Sequence, residues 1–558
     1  MNLNSIKKKL KKNFHILYDF LGNVRHLFQF SRVVKKLKQI ESISSYDRNA
    51  NKNKVVVFNL VRTYISVQFF IELIFALKLS AKGYKVIAYY DDGVLNHHET
   101  LTKSDRNSYT TYYGFRRKVT LYLLKKIAFV REFLTPYSSL NISVSKQEIR
   151  QLIDNKFIYE GVDLFEYIEA SLVRFNLSAP DNKILKAESD YKKALEFFSE
   201  NALLSYKLAK NSIEIYEPDL MVTSHGIYTT WGVFMKKYQM ENIKVITYSG
   251  NGYTIDGVDF GINDISANKI DNGFFEYFTK NTNKESKHKY CNIVDDMMAA
   301  RFSGASSDTK RISGYVNGGK SNLPKIERLK EKDKKVFALF PNVMWDNATT
   351  FKNWNTVFSS PVEWLVETVK FFLESDDKVL VIRVHPAEYL WMDVRVSIEK
   401  ILITYFGEEV FDSENVVFIP PGEKILSYDL FPLLTAGIVY NGTIGLELMY
   451  QDVPLITGAR TAYSNKGFTK DITTKDEYFY TIEHLNDMKP NKLLLKLFIY
   501  EYFFLHGVPL KILSSKNLLE PNLEDSAETI WTDRNLDYVI DVIDGKEQFF
   551  QSWDKYDG

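Results

Sequence analysis

Short β-branched runs alternate along this chain with longer stretches whose apolar residues recur every third or fourth position. The first run, Val55–Phe58, leads through the loop 59–66 into a helical stretch from Val67 to Leu79 that stops at Gly83. The next, Lys85–Tyr90, closes on Asp91-Asp92-Gly93. Strand, helix and strand in this order predict a parallel pair with a right-handed crossover. Residues 100–210 are charged and helix-spaced without a clear strand, and read as a helical insertion. The sheet resumes at Asp219–Thr223, whose tip is Ser224-His225-Gly226. After a helix through Trp231–Tyr238 it continues in Lys244–Tyr248, ending in Ser249-Gly250-Asn251-Gly252.

The Ser-, Gly-, Lys- and Asp-rich stretch 303–334 predicts a linker. Beyond it, strands Val336–Phe340, Val379–Ile382, Val416–Ile419, Ala436–Tyr440 and Val453–Thr457 alternate with helices Val362–Leu373, Val396–Tyr405, Tyr428–Leu434 and Ile444–Tyr450. That alternation is the pattern of a doubly wound domain. The expected division is a basic segment over 1–50, a first Rossmann-like domain over 51–320 with the insertion at about 100–210, a second over 330–475, and helices over 476–558 packed at the domain junction. A chain of 558 residues is too long for one core, which agrees. Two doubly wound Rossmann-type domains facing across a cleft, with a helical insertion and helical termini, make a GT-B-like α/β architecture. The same layout serves sugar-nucleotide epimerases and phosphorylases, so fold alone does not choose an activity.

Composition narrows the partners. A net charge of +2 gives no global field for nucleic acid, and none is expected as a partner. The single cysteine, Cys291, excludes an internal disulfide and a cysteine-based zinc site. No Walker loop or dinucleotide fingerprint is present. His97-His98-Glu99 lacks a spaced third metal ligand and reads as a solvated loop. At the N-terminus Lys7-Lys8-Lys9-Leu10-Lys11-Lys12 precedes Phe14, Ile16, Leu17, Phe20 and Leu21, then Leu27, Phe28 and Phe30, then Arg32, Lys35, Lys36 and Lys38. No signal peptide or membrane span is expected from this pattern. Two readings stay open: a basic amphipathic helix on an anionic membrane surface, or a solvated helix packed on the protein or a mobile tail. The apolar stripe Leu493–Leu505 reads as a helix packed at the domain junction, with membrane-surface contact as its alternative.

Candidate chemistry concentrates in the second domain. The run Val379–Ile382 ends abruptly in Arg383-Val384-His385-Pro386-Ala387-Glu388. Such a polar tip lies where open α/β sheets bind ligands, and Arg383 and His385 suit an anion. About 60 residues on, Asn441-Gly442-Thr443-Ile444-Gly445-Leu446-Glu447 follows a strand and opens a helix. Glycines there admit a ligand close to the backbone, and Glu447 suits the hydroxyls of a ribose. The plain alternatives are a tight turn and a carboxylate favoured by the helix dipole. For a catalytic base, His225 at its strand tip and Asp92 in its Asp-Asp-Gly turn are the candidates. A hydrogen-bonded strand-end histidine and an ordinary turn are their plain counterparts. Arg62 and Asn251 are further cleft candidates.

Six blocks resemble the bacterial capsule polysaccharide biosynthesis family, which is similar in turn to the Kdo-transferring capsule glycosyltransferases. They are Trp345-Asp346, Glu363-Trp364-Leu365, Ile382–Glu388, Ser427-Tyr428, Tyr440–Glu447 and Asn465-Lys466-Gly467-Phe468-Thr469, and they span about 335–475. The resemblance implies a GT-B glycosyltransferase using a nucleotide-activated sugar, with no cofactor beyond that donor and no bound metal. It implies that His385 holds the donor phosphates with Arg383, that Thr443 and Glu447 hold phosphate and nucleoside beside Glu388, Asn441, Gly442 and Gly445, and that Asn342, Asp346, Tyr428 and Lys466 line the cleft. The implied acceptor is a glycolipid or growing polysaccharide of capsule or lipopolysaccharide type. The implied location is the inner face of the cytoplasmic membrane, with other capsule assembly proteins as partners. Val439 stands where the common retaining GT-B families carry a second glutamate, eight positions before Glu447, which argues against those families. The alternatives are a teichoic-acid-type transferase of CDP-activated polyol phosphate and a non-catalytic carbohydrate-binding assembly protein.

Overall fold

The computed structural model describes residues 15–44, 54–61, 66–95, 114–187, 190–250, 257–264, 274–305, 322–346, 357–390, 396–485, 490–505, 508–514 and 517–545. It is an α/β protein of two compact units, each built on its own Rossmann-type sheet. Arg62, Asn251, Lys7–Lys12 and His97-His98-Glu99 lie outside the described residues.

The first unit falls within 1–168, 196–268 and 507–558. Its chain-order strands are β1 (Lys54–Leu60), β2 (Tyr84–Tyr90), β3 (Leu134–Pro136), the hairpin β4 (Ile158–Tyr159) and β5 (Val162–Asp163), β6 (Leu220–Ser224), β7 (Lys244–Gly250) and β8 (Gly257–Ile262). The second unit, within 169–195 and 269–506, holds β9 (Lys335–Phe340), β10 (Lys378–Arg383), β11 (Val416–Ile419), β12 (Ala436–Val439) and β13 (Leu455–Thr457). The chain then returns to the first unit with β14 (Val508–Pro509) and the pair β15 (Leu513–Ser514) and β16 (Asn517–Pro521).

The first sheet runs β14-β8-β7-β6-β1-β2-β3. Strands β3, β2, β1, β6 and β7 are mutually parallel, and β8 and β14 close one edge antiparallel. The second sheet, β11-β10-β9-β12-β13, is parallel throughout. Central strands such as β6 and β10 are buried along their whole length. Parallel strands covered on both faces must be apolar at every position, which is why the runs showed no alternation. In both units the winding reverses once, between β1 and β6 and between β9 and β12. Side chains at the carboxyl ends of those strands meet there without a crossover helix in the way.

The expected division fails at three places, each for a packing reason. Residues 169–195, read as part of the first-domain insertion, belong to the second unit. Val173, Leu177 and Leu185 bury against Trp345, and Asp181 accepts from the Tyr405 hydroxyl at 3.0 Å. Residues 269–305 also belong to the second unit. From 507 on, the tail belongs to the first unit rather than to a junction. The helix Arg534–Asp544 lays Leu536, Val539, Ile540 and Ile543 into that core, while Asp537 pairs with Lys78 at 2.5 Å. The tail is not wholly helical either, since β14 extends the sheet edge. Part of the expected linker is the helix Leu323–Glu331. The stripe Leu493–Leu505 is the helix Lys492–Tyr500 continued by a π-helical turn, with Leu495, Leu497 and Phe498 buried in the second unit.

Candidate functional site

The site is built on strand register. In the second sheet Leu339 of β9 pairs with Ile382 of β10, and Phe340 pairs with Val439 of β12. Continuing those registers past the strand ends brings Asn342, His385 and Asn441 to one level over three adjacent strands. The chain confirms this on the β12 side, because a methyl group added at Gly442 would lie 3.6 Å from Asn342 Oδ1. The reversal of winding between β9 and β12 therefore carries a row of polar side chains.

His385 is half-buried just past β10. Its Nδ1 accepts the Ala387 N–H at 3.1 Å, so the neutral tautomer carries its proton on Nε2. Burial, helped by the Arg383 charge, pulls its pKa down to about 4. At neutral pH His385 is thus an uncharged donor whose Nε2 has no protein partner among the described residues. Asn342 Oδ1 is buried and also lacks a partner. Buried polar atoms are ordinarily satisfied, so orphans grouped at a strand reversal mark where a ligand or ordered water binds.

Arg383 takes a different part from the phosphate contact expected of it. It is 3% exposed, and Nη1 donates to the Val384 and Pro420 carbonyls at 3.0 Å each. Nη2 reaches the Glu423 carbonyl at 3.4 Å, which leaves only Nε unpaired. Burial lowers its pKa to about 10, so it stays charged. Arg383 ties the tip of β10 to the loop after β11 and acts on the site through its charge. Glu388 is also buried: Oε2 accepts the Ile398 N–H at 3.3 Å and Oε1 has no partner. Burial raises its pKa to about 8, so its carboxyl is protonated at neutral pH.

The two glycines of the Asn-Gly-Thr-Ile-Gly turn have separate reasons. At Gly445 a Cβ would lie 2.3 Å from the Tyr463 hydroxyl, and that hydroxyl donates to the Gly442 carbonyl at 2.9 Å. Gly445 is a packing requirement. At Gly442 a Cβ would meet only ordinary contacts. Gly445→Ala is expected to destabilise the protein by about 1–3 kcal/mol, the usual cost of overpacking. Gly442→Ala should leave thermal stability unchanged and weaken only ligand binding; paired melting and binding measurements on the two variants check this. Asn441 is half-buried in the same turn, and Thr443 precedes the helix Ile444–Tyr450 with no side-chain cap bond.

Glu447 is not an open ribose acceptor. It is buried, and Oε1 receives Arg301 Nε at 2.9 Å and Nη2 at 2.8 Å. Tyr428 joins them: burial, then the Glu447 charge and hydrogen bond, push its phenol well above the usual range. Its ring meets Phe302 edge-on at 4.9 Å. Nothing in the sequence pairs Arg301, in the last turn of the helix Lys284–Phe302, with a carboxylate 146 positions away. Asp346 is exposed at the end of the turn after β9, and Lys466 is half-buried in the loop after β13 that also carries Tyr463.

In the first unit His225 stands at the tip of β6, beside the reversal at β1. Its φ is 48° and Gly226 follows at 75°, after which Tyr228–Gly232 form a π-helical turn. A non-glycine residue held left-handed and a π-turn side by side store strain of the kind found at ligand sites. The His225 ring lies 5.4 Å from Trp231, and buried Asn59 of β1 donates to the Thr230 carbonyl at 3.3 Å, which fixes the turn. Asp92 is a turn residue instead of a base. Its carboxylate accepts both the backbone N–H and the hydroxyl of Ser138, at 3.1 and 2.5 Å.

Fold and site together define the class: a two-unit Rossmann-type α/β protein with a polar site at a strand reversal in each unit. No protein-family model matches the chain, and no curated protein matches it in sequence. Among solved structures it is similar to Thermosulfurimonas dismutans KpsC, a beta Kdo 2,7 transferase, at 11% identity over 61% of this chain and 90% of that one, with a TM-score of 0.26. It is similar to the UDP-GlcNAc 2-epimerase from Neisseria meningitidis bound to UDP-GlcNAc at 11% identity, 80% and 98% coverage and 0.23. Sucrose-phosphate synthase from Thermosynechococcus elongatus matches at 9% identity, 81% and 95% coverage and 0.25. At these values the likeness assigns neither a family nor an activity.

Proposed function

We propose that this chain is a GT-B glycosyltransferase that takes a nucleotide-activated sugar as donor and extends a surface polysaccharide of capsule or lipopolysaccharide type. The observation that carries the reading is the buried, unpaired Asn342 Oδ1 at the β9/β12 reversal, level with His385 and beside the open turn at Gly442. A neutral imidazole donor among strand tips stabilises charge that builds on a departing diphosphate without itself losing a proton. The charge of Arg383, held by backbone carbonyls, adds to the field without needing direct contact. In this reading Glu447, Tyr428 and Arg301 shape the wall of the pocket, and the acceptor hydroxyl loses its proton to His225. The acceptor is a glycolipid or glycan at the inner face of the cytoplasmic membrane, and other capsule assembly proteins are the expected partners.

Calorimetric titration with a panel of nucleotide sugars tests the donor site. The protein should bind one class, and His385→Ala should weaken it about tenfold to a hundredfold, the worth of a hydrogen bond to a charged group. His225→Ala should lower turnover and leave donor binding intact. If no nucleotide sugar binds, the reading fails; binding of CDP-polyols alone selects the polyol phosphotransferase. Donor binding with neither transfer nor hydrolysis selects the non-catalytic protein.

A further inference from the structure

We infer that Tyr167 is a positioning residue for His225. Its ring, set against Gly232, closes a clamp on the π-helical turn Tyr228–Gly232, and Asn59 is the other jaw. The inference rests on the acceptor-side role proposed above for His225 and names what holds the imidazole in place for it.

The segment around His225 does not hold itself. His225, Gly226 and Tyr228 have φ of 48°, 75° and 66°. Non-glycine residues keep such left-handed angles only where their surroundings over-determine them. The backbone supplies part of this. The His225 N–H donates to the Tyr248 carbonyl at 3.0 Å, which continues the β6–β7 ladder by one residue. The Gly232 N–H reaches back to the Ile227 carbonyl at 3.0 Å. Neither bond touches the imidazole. Its ring neighbour is Trp231, at 5.4 Å between centroids; Trp231 is fully buried and His225 is half-buried. The place of the imidazole therefore follows the place of Trp231.

Trp231 is held through the residues on either side of it. At Thr230 the carbonyl accepts from Asn59 Nδ2 at 3.3 Å, and Asn59 Oδ1 in turn accepts from the Tyr137 hydroxyl. All three residues are buried, so breaking either bond strands a polar group. At Gly232 the hold is steric. A Cβ built there would lie 2.3 Å from Tyr167 Cδ1, 2.4 Å from Cε1 and 3.0 Å from the Gly226 carbonyl oxygen. The ring edge thus fills the space a side chain would need, where the turn folds back on the residue after His225. With φ −68° and ψ −41°, Gly232 is glycine for this close approach and not for its backbone angles. Tyr167 is itself fixed, 6% exposed in the first turn of the helix Phe165–Asn176, just past the β4–β5 hairpin. Asp163 Oδ1 accepts the Phe165 N–H at 2.8 Å, and Glu160 in the hairpin turn pairs with Lys210 at 2.9 Å. Nothing in the local sequence marks Tyr167, because the contact that matters joins it to Gly232 across the fold.

The test is the NMR signal of the His225 ring in the full chain carrying isotope-labelled histidine, assigned by its loss in His225→Ala. The Trp231 ring current makes that signal sensitive to where the two rings lie. Tyr167→Phe keeps the ring edge and should leave the signal in place. Tyr167→Ala, and separately Gly232→Ala, should move or broaden it. The signal of His26, buried elsewhere in the same unit, should stay put and so report that the unit is folded. Tyr167→Leu, which keeps apolar bulk without the ring edge, takes the place of Tyr167→Ala if that variant does not fold. The inference is overturned if the His225 signal is unmoved in the Tyr167 and Gly232 variants, or if Tyr167→Phe moves it as far as Tyr167→Ala. This measurement needs no donor, so its result stands whether or not a nucleotide sugar binds. With a donor found by calorimetry, turnover in Tyr167→Ala should fall about tenfold to a hundredfold at unchanged donor KM, as misplacement of a reacting group does. A moved signal with unchanged turnover supports the clamp and overturns His225 as the base.

Discussion

Arg301→Ala is expected to destabilise the second unit by about 3–5 kcal/mol, the cost of stranding a buried charge. The reason is the environment of Glu447, which is 4% exposed and takes two short contacts from one guanidinium. Removing Arg301 leaves a carboxylate facing the Tyr428 phenol with no cation to balance it. Pairing alone does not make the interaction strongly favourable, because both groups lost their hydration on burial. A double replacement, Arg301→Met with Glu447→Leu, should therefore recover most of the loss. Denaturant unfolding of the two single variants and the double one measures the coupling. If Arg301→Ala melts like the parent, the Tyr428 hydroxyl is enough to hold the buried Glu447 carboxylate.

Glu388→Gln should stabilise the protein at alkaline pH. The carboxyl is buried, one oxygen is unpaired, and its pKa rises from 4.5 to about 8. The folded state therefore holds a proton that the unfolded chain releases above its ordinary pKa. Stability from this group is fully present below about pH 4.5 and is lost as pH rises through about 8. Each pH unit in that window is worth about 1.4 kcal/mol, so on the order of 5 kcal/mol is at stake. The glutamine keeps the shape and the acceptor for the Ile398 N–H without an ionising proton. Parent and variant stability, measured from pH 5 to about 9, should diverge in favour of the variant as pH rises. Parallel curves would show that Glu388 is charged throughout.

Much of the second unit was legible because its strands are buried on both faces. Val416–Ile419 and Ile444–Tyr450 were placed to the residue, and the other strands of that sheet to within two positions. Short edge strands were not legible. β3 and β14 have two or three residues each, and they pair because the sheet offers them an edge, with no pattern of their own. The same contrast holds at the site. The Arg-Val-His-Pro tip and the Asn-Gly-Thr-Ile-Gly turn were found as polar interruptions of apolar runs. What each residue does there depends on atoms far away in the chain: Pro420 and Glu423 for Arg383, Arg301 for Glu447, Tyr463 for Gly445.

By itself the sequence determined two wound α/β series, the order of their central strands and helices, and the polar tips that face solvent at the strand ends. Local periodicity and strand burial are written residue by residue, so they survive without a structure. Tertiary structure decided the rest. It moved 169–195 and 269–305 to the second unit and 507–558 to the first. It made Arg383 a tie between backbone carbonyls and left Asn342 with a buried, unpaired oxygen at the winding reversal. Those outcomes turn on which apolar faces find each other across a hundred residues or more, a choice made by packing in three dimensions and not by any local pattern.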